Sequence, residues 1–311
     1  MPHAATRNPM DGDTVKGNSA EDVSVPSNGV SIVNGQAIAD GALVSVRDRG
    51  LTLADGIFET MRVRQGRVFQ LEQHLARLEQ GLSVLRIADV GDLRSTVVDA
   101  VARFGAADAS VRLTVTRGVG SAGLLPPSHG VPTVIVTVGP LPAFSPDLYE
   151  LGLTAHVPRG RRNPRAATAG LKTLSYTDAI VGLLDAQAQG ADEALFLDVD
   201  GHCSEASASN LFVWTGETLV TPPVSCGALP GITRATVLEI ATAMGLEALE
   251  RPCTLDEVLA SEEAFLTSSL RGIAPLVRID GHAIGPGRPG PVTRRVSTAH
   301  AQLLERATSG G

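Results

Sequence analysis

Short apolar runs separated by turn residues characterise the first part of the chain. The run Val30–Val33 is followed by Asn-Gly and then by a second run from Gln36, and Asn-Gly between apolar runs is a strong hairpin signal. Phe58–Arg64 and Arg67–Gln70 flank a Gln-Gly pair in the same manner. The pattern therefore predicts two β-hairpins.

A helical period follows the second hairpin. In Leu71–Val84, apolar residues recur every three or four positions, and Leu93–Phe104 is predicted as a second helix. Val111–Arg117 and Thr133–Val138 read as strands that a loop rich in Gly, Ser and Pro separates. Together these elements predict a small N-terminal α+β domain over residues 29–142.

A proline-rich segment, Gly139–Pro146, follows this domain and is predicted to be a linker. A larger C-terminal domain is expected over residues 147–311. Its predicted strands are Leu153–Val157, Ala194–Val199, a run from Glu205, Leu211–Trp214, Ala264–Thr267 and Pro275–Ile279. Its predicted helices are Asp178–Gln189, Ile232–Met244 and Asp256–Ser261. Strands and helices do not alternate regularly, which argues against a doubly wound nucleotide-binding sheet.

Composition narrows the class of protein. The chain has 311 residues, of which 43% are hydrophobic and 19% charged, an ordinary mixture for a protein of two globular domains. No apolar run approaches the roughly 20 residues of a membrane span. Residues 1–28 are mostly small, polar or charged, so they are expected to be a disordered lead-in rather than a signal peptide.

Cysteines and net charge bear on compartment and partners. Cys203, Cys226 and Cys253 are widely spaced and match no metal-binding pattern, so no metal is predicted, and reduced thiols in a cytoplasmic protein are expected. The net charge is -7 without a basic stripe, and aromatic residues make up only 3%. Nucleic acid is therefore not an expected partner, nor is a membrane.

Two residues in the second half suggest imine chemistry. Lys172 lies among small and apolar residues, where partial burial would lower the pKa of its amine and favour attack on a carbonyl group. Glu205 lies among small residues that would let a flat ligand approach, and its carboxylate could pair with a protonated pyridine nitrogen. Taken singly, Lys172 could equally be an ordinary surface lysine. Glu205 could equally be an exposed glutamate in a turn.

Other residues could bind a phosphate group. Ile232 and Thr233 begin a predicted helix after Pro-Gly, and the free N–H groups of a helix start attract anions. Arg77 could add a two-pronged contact, and Ser269 follows an apolar strand and supplies a hydroxyl. Each of these signals is weak alone, since Pro-Gly turns and solvated helix arginines are common.

Taken together, these residues resemble the class IV aminotransferases, the fold type IV pyridoxal-phosphate enzymes. This family includes branched-chain and D-amino acid transaminases and 4-amino-4-deoxychorismate lyase. The resemblance covers about residues 30–285. The segments that carry it are Asp55–Thr60, His74–Leu78, the residues around Lys172, Glu205–Phe212 and Gly231–Arg234.

The resemblance implies a fold, a cofactor and residue roles. The expected fold class is α/β of the α+β type, with the two-domain architecture of D-amino acid aminotransferase, and the expected cofactor is pyridoxal 5'-phosphate. Lys172 is similar to the family's Schiff-base lysine, Glu205 to the acid at the pyridine nitrogen, and Tyr176 to a tyrosine at the ring hydroxyl. The phosphate-binding positions of the family fall on Arg77, Ile232, Thr233 and Ser269. Members of this family form homodimers, so a homodimer acting on a small amino substrate is expected.

These motifs point to more than one type of reaction. D-amino acid transaminases carry an arginine and a histidine where Ala122 and Leu124 stand here, which argues against that specificity. The loop form Arg-Gly-x-Gly-x-x-Gly from Arg117 resembles the lyases, and so does Thr60, which could help proton transfer or could be an ordinary strand residue. Tyr176 instead resembles branched-chain transaminases.

The lyase reaction, from 4-amino-4-deoxychorismate to p-aminobenzoate and pyruvate, is the favoured expectation. A branched-chain or related amino acid transaminase using 2-oxoglutarate is the alternative, and a non-catalytic pyridoxal-phosphate-binding regulator is an alternative of another class. A substrate with carboxylates needs cationic partners. The candidate donors are Arg62, Arg117, Arg159, Arg161 and Arg162.

Overall fold

Two β-sheets, one in each half of the chain, organise the molecule. The computed structural model describes residues 29–38, 44–120 and 123–309. The predicted lead-in, residues 1–28, and Ala122 lie outside the described residues. Within the described part, no helix is long and apolar enough to cross a membrane.

The first sheet has six strands in the order β2-β1-β6-β5-β3-β4, and every pairing in it is antiparallel. Both predicted hairpins are present, as β1–β2 and β3–β4. The elements of this half are β1 (Val30–Val33), β2 (Gln36–Ile38), α1 (Arg49–Leu53), β3 (Gly56–Arg64), β4 (Arg67–Val68), α2 (Leu71–Leu85), α3 (Leu93–Phe104), β5 (Ala109–Thr116) and β6 (Thr133–Gly139).

The alternation of strand β3 gives this sheet two different faces. Ile57, Met61 and Val63 are buried in one hydrophobic cluster with the apolar stripes of α2 and α3. Phe58 and Thr60 point to the opposite face, because successive side chains of a strand alternate between faces, and there they line a cavity. The alternation of side chains along β3 thus places apolar residues in the core on one face and candidate site residues on the other.

The second half contains a larger sheet of ten strands with helices around it. Its elements are α4 (Pro146–Glu150), β7 (Leu153–His156), β8 (Arg161–Arg162), α5 (Thr177–Ala188), β9 (Glu193–Asp198), β10 (Cys203–Ala206), β11 (Asn210–Trp214), β12 (Thr218–Thr221), α6 (Ile232–Ala243), β13 (Glu247–Glu250), α7 (Leu255–Leu259), β14 (Glu263–Ser268), β15 (Gly272–Ile279), β16 (His282–Ala283) and α8 (Pro291–Thr308).

Six of these strands form a closed ring. They follow the order β10-β9-β7-β15-β14-β11, and β10 pairs back with β11 through Glu205 and Asn210. The pairings of β7 with β9 and with β15 are parallel, whereas β9–β10, β11–β14 and β14–β15 are antiparallel. Strand β12 continues from β11 outside the ring. The ring is closed at Glu205, one of the predicted site residues.

The 18-residue C-terminal helix α8 is the longest element that the sequence pattern did not predict. Its buried positions Val292, Val296, His300 and Leu304 are spaced by four residues, but polar and charged residues dominate the positions between them. Its N-terminus is capped from a distance, since the Glu263 carboxylate accepts the backbone N–H groups of Val292 and Thr293 at 2.9 and 2.7 Å. The local signals of this helix start are Gly290 at the N-cap and Pro291 at the first helical position, neither of which supplies a side-chain cap.

The proline-rich segment after β6 connects the two halves without regular structure until α4 begins at Pro146. Pro142 and Phe144 from this segment line the same cavity as Phe58. The sheets share no strand. A division into domains at residues 29–142 and 147–311 stays a prediction.

Candidate active site

A cavity of about 440 Å³ between the two halves brings most of the predicted site residues together. The predicted residues that line it are Thr60, Arg77, Lys172, Tyr176, Ile232, Thr233 and Ser269. Glu205 lines an adjoining cavity of about 240 Å³, which shares Tyr176 and Leu229 with the first. Residues more than 200 positions apart in the chain therefore meet in one place.

The backbone at Lys172 is anchored to strand β3 of the other half. The N–H of Phe58 donates to the Lys172 carbonyl at 3.0 Å, and the N–H of Leu174 donates to the Gly56 carbonyl at 3.1 Å. Gly56 is required there, because a β-carbon would lie 2.5 Å from the Val115 carbonyl oxygen and 2.8 Å from a Leu174 methyl carbon. These contacts fix the point from which the lysine side chain extends.

The Lys172 amine lies between a phenol and an aromatic face. Its Nζ is 2.9 Å from the Tyr176 hydroxyl and 4.7 Å from the centre of the Phe58 ring. Tyr176 packs edge-on against Phe58, with ring centres 5.1 Å apart. The amine is thus held at the cavity wall by one hydrogen bond and by cation–π contacts with the Phe58 and Tyr176 rings.

Glu205 is 13% exposed and is held by neighbouring backbone and side chains. Its Oε2 accepts the Leu229 N–H at 2.8 Å and a weaker bond from Asn210 Nδ2 at 3.4 Å. Its Oε1 is 3.5 Å from Nη2 of the Arg162 guanidinium. Burial raises the pKa of the Glu205 carboxyl, although Arg162, the Leu229 N–H and Lys172 oppose that rise. A cationic ring nitrogen beside Oε1 would favour the carboxylate form.

Helix α6 points its N-terminus at the cavity. Its N-cap is Gly231, which offers no side chain, and within the described residues the backbone N–H groups of Ile232 and Thr233 have no acceptor. A β-carbon at Gly231 would lie 2.0 Å from Asn210 Oδ1, so only glycine fits. The two N–H groups and the positive end of the helix dipole form a site for an anion.

Arg77 reaches the cavity from α2 and is anchored by a buried carboxylate. Its Nε and Nη2 donate to Glu59 at 2.7 Å each, and its Nη1 donates to the Pro230 carbonyl at 2.9 Å. His74 Nδ1 is also 2.7 Å from Glu59. Although burial alone would raise the pKa of Glu59, the bonds from His74 and Arg77 hold it below its usual value.

The turn after β14 completes this side of the cavity. Ser269 lines it, and the Thr267 hydroxyl beneath is buried with no partner in the described residues. Arg62 from β3 donates to the Leu270 carbonyl at 3.3 Å and so holds the turn. A phosphate group would fit this side of the cavity. It could accept hydrogen bonds from the Thr267 hydroxyl, from the free N–H groups at the start of α6 and from the Arg77 guanidinium.

Arg112 is a residue of the cavity that the sequence analysis missed. Its guanidinium carbon lies 3.7 Å from the centre of the Phe58 ring, and no side-chain hydrogen bond or ion pair engages it among the described residues. Desolvation lowers the pKa of Arg112, although the group stays charged near neutral pH. Its place between buried Val111 and Leu113 on strand β5 was the available signal, because alternation turns it to the Phe58 face.

Arg117 is excluded as a donor for a substrate carboxylate. Its guanidinium binds both oxygens of Asp55 at 2.7 and 2.9 Å and the carbonyls of Leu85 and Arg86 at 2.7 and 3.1 Å. Arg161 and Arg162 line the adjoining cavity with Glu205 instead. Leu124, at one of the loop positions considered for substrate binding, is 84% exposed.

Comparisons with known proteins agree on one family. The model of class IV amino-transferases matches residues 56–279. The branched-chain-amino-acid aminotransferase of Escherichia coli is 30% identical over 289 residues, covering 88% of this chain and 93% of that protein. A crystal structure of the Escherichia coli enzyme superposes with a TM-score of 0.85 at 27% identity, covering 90% of this chain and 96% of that one.

Two further structures bear on the cofactor and the reaction. The 4-amino-4-deoxychorismate lyase of Pseudomonas aeruginosa superposes with a TM-score of 0.77 at 34% identity, covering 89% of this chain and 98% of that one. A T.th. branched-chain amino acid aminotransferase, solved with pyridoxamine 5'-phosphate, superposes with a TM-score of 0.84 at 25% identity, covering 90% and 95%. The fold is thus shared by transaminases and a lyase.

Proposed function

Because this chain belongs to the class IV amino-transferase family and is a pyridoxal-phosphate-dependent enzyme, we propose that it transaminates branched-chain or related aliphatic amino acids. The observation that carries the proposal is the Lys172 amine, 2.9 Å from the Tyr176 hydroxyl, in a cavity with aromatic walls and one unpaired cation. The sequence motifs favoured the lyase reaction, which is retained below as the second candidate.

The residues around the cavity fit the cofactor's distinct groups. The backbone N–H groups of Ile232 and Thr233, together with Arg77 and Ser269, would hold the phosphate. Glu205 would hold the pyridine nitrogen, and Tyr176 the ring hydroxyl. When bound, the cofactor supplies the electron sink that stabilises negative charge on the substrate carbon.

Lys172 is the group that would move the proton. Its Nζ is free of any carboxylate ion pair within the described residues, and only the Tyr176 hydroxyl and two aromatic faces contact it. A lysine so placed would hold the carbonyl carbon of the cofactor, and its amine, once free, would take the proton from the substrate carbon. The Tyr176 hydroxyl keeps the amine pointed into the cavity.

The cavity walls suit one carboxylate and an apolar side chain. Arg112 is the cation available for the carboxylate, because Arg77 is bound to Glu59 and Arg271 lies 3.3 Å from the Glu193 carboxylate. Phe58 and Phe144 supply apolar surface beside it. A substrate such as leucine or isoleucine matches both features.

An amino-acid panel with 2-oxoglutarate tests the proposal. Purified, cofactor-loaded protein should form glutamate fastest from branched aliphatic amino acids, and Arg112→Ala should raise KM more than it lowers kcat, because uniform substrate binding is lost. Arg103→Ala, at an exposed helix position, should leave both constants unchanged. Failure to transfer an amino group from any L-amino acid would refute the transaminase assignment.

The lyase remains the second candidate because Thr60 lines the cavity from the same strand face as Phe58. There its hydroxyl could contact a leaving enolpyruvyl group. 4-Amino-4-deoxychorismate, offered to the same preparation, should yield p-aminobenzoate and pyruvate if the lyase assignment is correct. Thr60→Gly should then lower lyase turnover while cofactor binding persists.

The proposal extends to assembly and location. Five apolar residues of α1 and of the loop between β5 and β6, here called the loop patch, are 50–86% exposed: Leu51, Val119, Leu124, Leu125 and Val131. Solvent-exposed apolar patches of this kind commonly mark contacts between subunits, so a homodimer is proposed. The three cysteines carry free thiols, which suits the reducing cytoplasm.

A further inference from the structure

A carboxylate, an imidazole and a thiol meet away from the active site, although they are far apart in the sequence. Asp198 ends strand β9, His202 directly precedes β10, and Cys226 ends a 3-10 turn over Val224–Cys226. One ligand atom from each residue lies within 4.8 Å of the other two. The sequence spacing of the cysteines gave no sign of this cluster.

The backbone of the β9–β10 turn orients the carboxylate. Oδ1 of Asp198 accepts the backbone N–H groups of Asp200 and His202, both at 2.9 Å. The Cys226 thiol is a hydrogen-bond partner of this carboxylate, and Oδ2 lies 3.5 Å from His202 Nδ1. That separation is long for a hydrogen bond but close to the edge of a zinc tetrahedron, roughly 3.3–3.5 Å for metal bonds of about 2.0–2.1 Å.

We propose that Asp198, His202 and Cys226 form a binding site for a divalent cation of the zinc type. Thiolate, imidazole and carboxylate are the donors that Zn²⁺ takes in proteins, and three of them leave a fourth position for water. Asp198 and Cys226 are 2% and 3% exposed, whereas the His202 side chain is 39% exposed and provides the path of entry.

A cation at this site would stabilise a segment that contributes to the cofactor pocket. The 3-10 turn that ends at Cys226 leads directly to Leu229, whose N–H donates to Glu205 at 2.8 Å. A cation at the cluster would tie the β9–β10 turn to this segment and restrict its motion. The expected consequence is tighter cofactor retention and higher thermal stability, because a ligand that binds only the folded state stabilises it.

The other two cysteines provide a control for thiol chemistry in general. Cys203 and Cys253 are 0% and 2% exposed and lie side by side, with the Cys203 N–H donating to the Cys253 carbonyl at 2.8 Å. Neither belongs to the three-donor set. Cys253→Ser therefore removes a neighbouring thiol without removing a proposed ligand.

Metal titration of the tag-free, cofactor-loaded enzyme in a phosphine reductant tests the site. Zn²⁺ in a calorimeter should bind once per chain, and Co²⁺ should produce a thiolate-to-cobalt absorption band in the difference spectrum. Cys226→Ser should abolish that band, and both Cys226→Ser and His202→Ala should weaken Zn²⁺ binding by more than roughly 100-fold, since even outer residues of a metal site cost up to about 100-fold. Zn²⁺ should raise the melting temperature of the wild type but not of His202→Ala.

The matched variants decide the interpretation. Cys253→Ser and His282→Ala, a change at an exposed histidine, should bind Zn²⁺ as the wild type does. Absence of saturable binding to the wild type, or an undiminished cobalt band in Cys226→Ser, would overturn the proposal. If Cys226→Ser fails to retain cofactor, His202→Ala carries the test, because its exposed side chain can be removed with little effect on packing.

Discussion

At the residue scale, Arg77 lines the cavity while its hydrogen bonds go to a buried carboxylate and to the Pro230 carbonyl. Glu59 is 1% exposed, and Arg77 and His74 are the side chains bonded to it within the described structure. A buried carboxylate that loses its cationic partner is costly, because the uncompensated charge stays in a poorly hydrated place. Arg77 therefore supports the fold as well as any phosphate bound beside it.

Replacing Arg77 with alanine should weaken cofactor binding roughly 10- to 100-fold, through loss of a charge-assisted contact worth about 1.5–3 kcal/mol. It should also lower the free energy of unfolding by about 3 kcal/mol, because Glu59 keeps only His74. Cofactor titration and urea unfolding measure the two effects. Arg103→Ala should change neither, and an unchanged cofactor affinity in Arg77→Ala would remove this residue from the phosphate site.

Replacing Glu205 with glutamine should separate binding from turnover. The amide oxygen can still accept the Leu229 N–H, which now reaches Oε2 at 2.8 Å, so the fold and the cofactor should be retained. Turnover should fall by roughly 100- to 1000-fold, because the negative charge that favours a protonated ring nitrogen is lost. Steady-state kinetics of Glu205→Gln beside Glu217→Gln, an exposed control, would show the difference. Near-normal turnover would mean that Glu205 does not serve the ring nitrogen.

Arginines show which part of the site the sequence could predict. Arg77 followed from a motif of neighbouring residues, whereas the only local signal for Arg112 is its alternation on strand β5, which does not tell whether its charge is paired. Asp55 satisfies Arg117 from another element, and no described side chain satisfies Arg112. Which cation is free depends on tertiary partners, so composition and periodicity could not decide between them.

At the scale of elements, helix α8 buries a histidine against the first half of the molecule. His300 is 7% exposed, its Nε2 has no partner among the described residues, and its ring packs edge-on against Phe69 at 5.9 Å. Burial, with a smaller effect of Arg62, lowers the pKa of His300 to about 4. The imidazole is therefore neutral in the folded protein at physiological pH.

This histidine should make the enzyme less stable in mild acid. Between pH 6.5, the ordinary pKa, and about 4, the unfolded chain binds a proton that the folded chain excludes, so stability falls as the pH drops. At pH 5 the loss is about 2 kcal/mol for this group. Urea unfolding at pH 7 and pH 5 should show a smaller acid loss in His300→Leu than in the wild type. His282→Leu, at an exposed position, should keep the wild-type loss; an equal loss in His300→Leu would contradict the assignment.

Elements whose signals are local were predicted well. The Asn-Gly hairpin and the helices α2, α3 and α6 need only turn residues and a 3.6-residue period, and their predicted bounds agree with the structure within about two residues. Helix α8 was missed because its cap, Glu263, comes from strand β14. Strand β12, with its parallel partner β13, was missed because strands this short are defined by their pairing.

At the scale of the whole molecule, the loop patch lies on the same half as the cavity wall formed by β3 and β5. Arg49 holds its loop by donating to the carbonyls of Gly123 and Leu124 at 2.8 and 2.9 Å, so the apolar side chains are presented by a fixed backbone. Leu124 and Leu125 are 84% and 86% exposed. A fixed apolar surface of this kind is expected to be covered in the working enzyme.

Light scattering should therefore give the mass of a dimer. Leu125→Glu should weaken the dimer, because a charge placed in a subunit contact loses its hydration without gaining a partner. Val98→Glu, at a position of helix α3 that is 47% exposed, is the matched control and should leave the mass unchanged. An active wild-type enzyme with a monomeric mass would rule out the homodimer.

The strand ring closes at one residue pair, Glu205 and Asn210, and both also bond to Leu229. This single pair is the shortest pairing in the ring, so the ring is expected to open there first. One member of the pair, Glu205, is proposed to hold the coenzyme. Bound coenzyme would therefore hold the strand ring closed. Backbone amide hydrogens near Glu205 and Asn210 would exchange slowly in the cofactor-loaded enzyme, and proteases would cleave there slowly. Bound coenzyme would then determine how well the folded enzyme resists local unfolding, as well as its catalysis.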